Sequence, residues 1–110
     1  MAKRGNAELL SDIKEAIRRI ESYTKSISYQ AFLKDLKVQD AVVRNFEIIG
    51  EAVKNLPTDF KHRHPTVDWK HIAGLRDKLI HHYFGVNWDI VWSVVKEKVP
   101  EFQAQIETLL

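Results

Sequence analysis

The chain has 110 residues, a length that suits one compact domain and is short for two, so we expect a single domain over residues 1–110. Its formal net charge of +2 argues against a strong overall attraction to nucleic acid, and the absence of cysteine excludes disulfides and thiolate metal sites. No apolar run follows the basic N-terminus and no stretch approaches bilayer length, so we expect a cytoplasmic protein with no membrane partner.

The first predicted helix runs from Asn6 to about Lys25, with Asn6 as its N-cap. Its apolar residues recur at helical spacing on one side, and charged residues fill the other side. This pattern is typical of a helix that packs one face against a core. The apolar residues are Leu9, Leu10, Ile13, Ala16, Ile17 and Ile20.

A short second helix is predicted from Tyr29 to Leu36, and a long third helix from Val38 to Leu56, where Pro57 ends it. The apolar residues of the third helix step by four and three along an unusually wide face, which indicates contact with more than one neighbour. The residues predicted to point inward are Phe32, Leu33 and Leu36 in the second helix, and Val42, Phe46, Ile49, Val53 and Leu56 in the third.

Residues 58–67 are polar and predict a connector, the least helical part of the chain. Asp68 is the predicted N-cap of the next helix, which extends from about Trp69 to Tyr83. Gly85 is its predicted stop, since glycine adopts the left-handed conformation that often ends helices.

Asn87 is the predicted N-cap of a last helix, in which Pro100 introduces either a kink or a break with a new start. Trp88 and Trp92, four residues apart, favour core or dimer contacts over a platform for nucleic-acid bases. No alternating pattern long enough for paired strands is present. The apolar residues of the last helix are Ile90, Val91, Val94, Val95, Phe102, Ile106 and Leu109. The predicted fold is all-α, an up-and-down bundle of four long helices plus one short helix.

The fourth predicted helix, from about Trp69 to Tyr83, concentrates polar groups with chemical potential. Arg76 is either a core-covering side chain paired with a carboxylate or a clamp for phosphate. His81 and His82 suit a helix C-terminus by charge, and histidine also suits acid–base catalysis. Tyr83 is either a packed aromatic residue or an exposed hydroxyl near a site. The histidines have no spacing typical of a metal site, so no metal or other cofactor is implied.

Arg76 and His81 are five residues apart, which places them roughly 140° apart around a straight helix. They do not point the same way unless the helix ends or bends between them. Either the long arginine side chain or a second copy of the chain would bring the two groups together. A twofold dimer would place two arginines and two histidines around one cleft.

The spacing of Arg76, His81 and Tyr83 matches the R-x4-H-x-Y motif of the HEPN superfamily, and its surroundings resemble the HepT-like branch. The resemblance extends over nearly the whole chain, from about Leu9 to the C-terminus. The stretches that carry it are NFEIIGEA at residues 45–52, IAGLR at 72–76 and YFGV at 83–86.

This resemblance implies a HEPN-like helical domain that forms a homodimer and cleaves RNA without metal. Arg76 would then stabilise the phosphate charge and His81 would be the catalytic histidine. Tyr83 would be the site to which a partner adds AMP. That partner would be the MNT-type nucleotidyltransferase antitoxin of a HepT/MntA pair, with this chain as the toxin.

The chain departs from the family pattern at Asp77, where members often carry asparagine. A carboxylate there would either pair with Arg76 and weaken its hold on phosphate, or orient His81. Asp77 and His82 are therefore expected to support the site. The alternative function is a non-catalytic interaction module that binds a nucleotidyltransferase and its nucleotide.

Overall fold

The computed structural model describes residues 4–80 and 86–109, with the backbone only at 75, 76 and 78–80. Every regular element in these ranges is helical, which confirms the all-α prediction. The helices are α1 (Asn6–Thr24), α2 (Tyr29–Lys34), α3 (Leu36–Asn55), α4 (Thr58–Arg63), α5 (Trp69–Ile80), α6 (Trp88–Ser93) and α7 (Val99–Glu107), and a π-helical turn (Val94–Lys98) joins the last two.

Helix α3 packs against α1 over much of its length and against α5, while α7 and the π turn contact α1. The apolar residues predicted for α1 and α3 are all buried, which confirms the assignment of their core-facing sides. Within the described residues, no helix is both long and apolar enough to cross a bilayer.

The first helix begins differently from the prediction. Gly5 is the N-cap, and Asn6 is the first residue of α1. The backbone N–H of Gly5 donates to Oε1 of Glu8 at 3.4 Å, because the glutamate side chain reaches back over the first turn. Asn6 is therefore not the cap.

Helix α2 ends at Lys34, two residues before its predicted end, and α3 begins two residues early at Leu36. Asp35 separates them: its side chain accepts from the Val38 N–H at 3.1 Å and caps α3. Because Leu36 belongs to the first turn of α3, it is 72% exposed, and Leu33 is also exposed, so the prediction that both point inward is wrong.

The segment after α3 is not an extended connector, since α4 occupies its first six residues. Pro57, which ends α3, has φ −60° and so also suits the start of the next helix. Phe60 is buried and anchors the short helix in the core. The polar composition thus concealed a short helix whose one buried apolar side chain is Phe60.

The α-helical structure is interrupted before Pro100 and starts again there, in agreement with the second predicted alternative: α6 ends at Ser93, and α7 begins at Val99 with Pro100 in its first turn. The π-helical turn lies just before it, and the N–H of Val99 donates to the carbonyl of Val94. We attribute this wider turn to the proline ring, which would otherwise clash with the carbonyl one turn earlier. In α6, Val91 is fully buried whereas Ile90 is half exposed, which contradicts the inward position predicted for Ile90.

The two tryptophans of the last helical segment pack within the chain. Phe32 contacts Trp88 with ring centroids 5.8 Å apart and Trp92 at 5.0 Å. The ammonium group of Lys96 lies 4.6 Å from the centre of the Trp92 ring. This cluster joins α2 to α6 and the π turn, so both tryptophans make the core contacts predicted for them.

The solvent-facing side of α1 carries an ion-pair group that makes a pH-dependent contribution to stability. Arg18 binds Glu15 through two hydrogen bonds of 2.9 and 2.6 Å, and Arg19 adds a third of 3.1 Å. Hydrogen bonds from Arg18 and then Arg19 lower the pKa of the Glu15 carboxyl from 4.5 to about 2. Because the folded-state pKa is lowered, the stabilisation is complete above the ordinary pKa and is lost as the pH falls towards 2.

We therefore predict that Glu15→Gln lowers the melting temperature slightly at pH 7, by an amount that shrinks as the pH falls from about 4.5 to 2. Thermal unfolding followed by circular dichroism at a series of pH values measures this. Glu21→Gln is the matched control, because the Glu21 side chain has no ion pair among the described residues. Equal effects of the two substitutions at every pH would contradict the assignment.

Candidate functional site

Helix α5 carries the start of the predicted motif and is anchored at its N-terminal end. The side chain of Asp68 accepts from the His71 N–H at 3.1 Å, which confirms Asp68 as the cap. The indole N–H of Trp69 donates to the His64 carbonyl at 3.0 Å. Trp69 and Ile72 are both buried, so the start of α5 is held firmly in the bundle.

The backbone register of α5 separates two neighbouring candidate residues. Arg76 follows Ile72 by four residues and Trp69 by seven, so its position returns to the buried side of the helix. Asp77 follows Lys70 by seven residues, and both are exposed. The arginine position thus belongs to the core-facing side and the aspartate to the solvent side.

The remaining predicted site residues, His81, His82 and Tyr83, lie outside the described part of the chain, as do the predicted helix end at Tyr83 and the stop at Gly85. Their roles stay predictions. Within residues 4–80 and 86–109, no group of three or more His, Asp or Glu side chains is arranged to hold a metal ion.

A cavity of about 240 Å³ lies between α3, the first half of α5 and the last helical segment. Ile72 lines it, and Arg76 is one helical turn further along the same side of α5. The sequence analysis did not predict this cavity, although the wide apolar face of α3 indicated several neighbours. Its apolar lining residues are Phe46, Ile49, Ile72, Val94, Val99 and Phe102, and its polar ones include Asp68, His71, Lys98, Glu101 and Gln105.

Asn45, the first residue of the NFEIIGEA stretch, is buried within the apolar arc of α3. Its side-chain amide donates to the Ala41 carbonyl at 2.8 Å. Its Oδ1 atom has no hydrogen-bond partner among the described residues. The sequence analysis did not predict the burial of Asn45. A buried acceptor without a partner lowers stability.

We predict that Asn45→Leu raises the free energy of unfolding by about 1 kcal/mol, because it removes the unpaired acceptor and keeps the branched shape. Gln39→Leu is the control, since Gln39 is also buried on α3 but its amide donates to the Phe32 carbonyl at 3.1 Å. That substitution should lower the free energy by about 1 kcal/mol. Urea unfolding at one protein concentration measures both, and destabilisation of similar size in the two variants would refute the interpretation.

The described helices define this chain as a small all-α helical bundle. The model of the family described as "Ribonuclease HepT-like" matches residues 13–109. The chain therefore belongs to the HepT-like family of the HEPN superfamily, which confirms the resemblance recognised in the sequence. No solved structure matches the chain significantly.

Similar proteins carry related names. A Thermococcus cleftensis protein named "Probable ribonuclease HepT" is 50% identical over 107 residues, covering 97% of each chain. A Methanocaldococcus jannaschii protein, named provisionally as an RNase, is 49% identical over the whole of this chain and 91% of its own length. A Caldanaerobacter subterraneus protein with the same kind of name is 52% identical over 78% of this chain and 77% of its own.

Proposed function

We propose that this chain is a metal-independent endoribonuclease that acts as a homodimer and is the toxin of a HEPN/MNT toxin–antitoxin pair. The observation that carries the proposal is membership of the HepT-like family over residues 13–109, a range that includes the whole R-x4-H-x-Y motif. We further propose that residues 1–110 act as one domain in the cytoplasm.

The proposed chemistry needs three groups. A base removes the proton from the ribose 2′-hydroxyl, a cation stabilises the negative charge on the non-bridging phosphate oxygens, and an acid protonates the leaving 5′-oxygen. We assign the proton transfers to His81 and the charge stabilisation to Arg76, whose position lies on the core-facing side of α5. Because residues five apart on a helix would point about 140° apart, we propose that two chains complete the site around a shared cleft.

We predict that the protein cleaves RNA in excess chelator. His81→Ala should lower the rate about 100- to 10,000-fold by removing acid–base catalysis. Arg76→Ala should lower it about 100- to 1,000-fold by removing charge stabilisation. Digestion of a fluorescent RNA measures the cleavage rates of the wild type and of both variants. His62→Ala, which removes an exposed histidine of α4, is the control and should keep wild-type activity.

Two results would refute this mechanism. Loss of cleavage on addition of chelator would indicate a metal-dependent reaction. Full activity in His81→Ala would show that the motif histidine does not transfer protons in the reaction.

We propose that Tyr83 is the switch that the antitoxin uses. Its hydroxyl oxygen would attack the α-phosphorus of ATP, pyrophosphate would leave, and the hydroxyl proton would pass to a base of the nucleotidyltransferase. The attached AMP would bring a bulky group and a phosphodiester charge to the cleft. That charge would bind Arg76 as the phosphate of RNA otherwise does.

We predict that incubation with the cognate nucleotidyltransferase and ATP adds the mass of AMP to the intact chain and suppresses RNA cleavage. Tyr83→Phe should gain no mass. Tyr23→Phe, which changes an exposed tyrosine on α1, should gain as much as the wild type. Equal gains in Tyr83→Phe and the wild type would exclude the switch.

The alternative function is a non-catalytic module that binds a nucleotidyltransferase. The exposed carboxylate of Asp77 beside Arg76 favours it, because the family often has a neutral asparagine there. Purified protein that binds the partner tightly but cleaves no RNA in any buffer would favour this alternative. Restoration of cleavage by Asp77→Asn would then assign the lost activity to that carboxylate.

A further inference from the structure

The arginines of this chain are distributed in a way that the proposed active site does not explain. Four arginines with described side chains form ion pairs: Arg4 with Asp12, Arg18 and Arg19 with Glu15, and Arg44 with Glu47. Arg63, the last residue of α4, is exposed and has no carboxylate partner among the described residues. An unpaired guanidinium group is available to an anion from outside the chain.

Lys54, near the end of α3, and Lys70, at the start of α5, lie in the same region of the bundle as Arg63. The ammonium group of Lys61 donates to the Val53 carbonyl at 3.2 Å, which holds α4 against the end of α3. The Trp69 indole bond to His64 holds the start of α5 against the end of α4. Three exposed cations therefore lie on neighbouring segments, and we call them the basic platform. They are Lys54, Arg63 and Lys70, and no ion pair joins any of them to a described carboxylate.

The carboxylates of this region do not neutralise the platform. Asp68 accepts from the backbone N–H of His71 and so serves as a helix cap. Asp59 and Arg63 are four residues apart on α4, a spacing that permits an ion pair, but no ion pair joins them among the described residues. Between residues 54 and 70, four lysine and arginine side chains thus outnumber two aspartates: they are Lys54, Lys61, Arg63 and Lys70. The local balance is positive although the whole chain is near neutral.

Lys70 is placed where its charge does not help the fold. It is the second residue of α5, near the positive end of the helix dipole, and the first turn of α5 has no acidic residue. A cation there is mildly unfavourable for the helix. A charge that opposes local stability is more readily explained by an interaction with an external anion.

We propose that the basic platform binds the phosphate backbone of the RNA substrate on one side of the cleavage site. This inference rests on the proposed ribonuclease function. Lys70 and Arg76 are six residues apart on α5, about 9 Å along the helix axis and roughly 120° apart around it, so a short run of single-stranded nucleotides would pass from the exposed side of α5 towards the side that carries the Arg76 position. Contacts to phosphates position the strand without reading its sequence, so the platform supplies affinity and orientation and not base preference.

The binding experiment uses a labelled single-stranded RNA of 20 nucleotides and the full-length His81→Ala protein, in which RNA is expected to stay intact. Salt titrations followed by fluorescence anisotropy compare this protein with a version that also carries Arg63→Gln and Lys70→Gln. Loss of two phosphate contacts should reduce the slope of log K against log salt by about 1.4, which corresponds to about 25-fold weaker binding at 0.1 M salt.

The matched control carries Arg18→Gln and Arg19→Gln, which remove the same charge from α1, where both arginines are already paired with Glu15. Its salt slope and affinity should stay close to those of the parent. The melting temperature of each protein is measured as well. The platform variant should melt no lower than its parent, because Lys70→Gln removes an unfavourable charge from the first turn of α5.

Cleavage assays with protein that keeps the native His81 separate this inference from the proposed function. With active protein, the platform substitutions should raise KM for the 20-nucleotide RNA, leave kcat unchanged, and leave cleavage of a dinucleotide unaffected. If the wild type cleaves nothing while the platform substitutions still weaken RNA binding, the proposed function fails and the platform stands.

Three outcomes would overturn the platform. The first is an unchanged salt slope for RNA binding by the platform variant. The second is a loss of RNA affinity in the α1 control equal to that in the platform variant. The third is a platform variant that still binds RNA but no longer binds the cognate nucleotidyltransferase, which would assign these cations to a protein partner.

Discussion

The packing of α3 between α1 and α5 is the constraint on which the rest of this structure depends. A helix that packs against two neighbours needs a buried arc wider than the usual apolar stripe. When α3 is viewed along its axis, its buried residues form such an arc, with Ala52 at one edge and Gly50 at the other. Its burial orients α5 so that Trp69 and Ile72 face the core. The side on which Arg76 falls therefore follows from how α5 is packed.

The sequence predicted the elements whose signals repeat over several turns. The apolar spacing of α1 and α3 and the caps Asp68 and Asn87 were correct because each rests on local chemistry that tertiary contacts reinforce. The motif and its surroundings identified the family, whereas spacing alone left the roles of Arg76 and Tyr83 open. Periodicity does not distinguish an arginine that covers the core from one that binds phosphate.

Several errors share a physical cause, which is that a few local contacts decided where a helix begins or whether a short helix forms. Glu8 reaches back to Gly5, Asp35 begins a new helix at Leu36, and Phe60 anchors α4. None of these contacts produces a repeating pattern. The cavity beside Ile72 and the buried Asn45 were missed for a related reason, since both depend on how separate helices meet.

The arrangement of charges connects the scaffold to the proposed activity. Ion pairs occupy the described arginines of α1 and α3. The basic platform has no such pair among the described residues and lies at the end of α3, the end of α4 and the start of α5, which is the helix that carries Arg76. A near-neutral chain can thus bind an anionic polymer locally, next to the groups proposed to cleave it.

The central claim is that RNA itself supplies the attacking hydroxyl and that the protein supplies Arg76 and His81 without a metal. The most direct measurement places a single 2′-deoxynucleotide at the cleaved position of a defined RNA and identifies the products by mass spectrometry. The account predicts that this RNA is not cut there, and that the all-ribose RNA gives a 2′,3′-cyclic phosphate and a 5′-hydroxyl. Cleavage of the deoxy-substituted RNA at the same bond, or products with a 5′-phosphate, would contradict it.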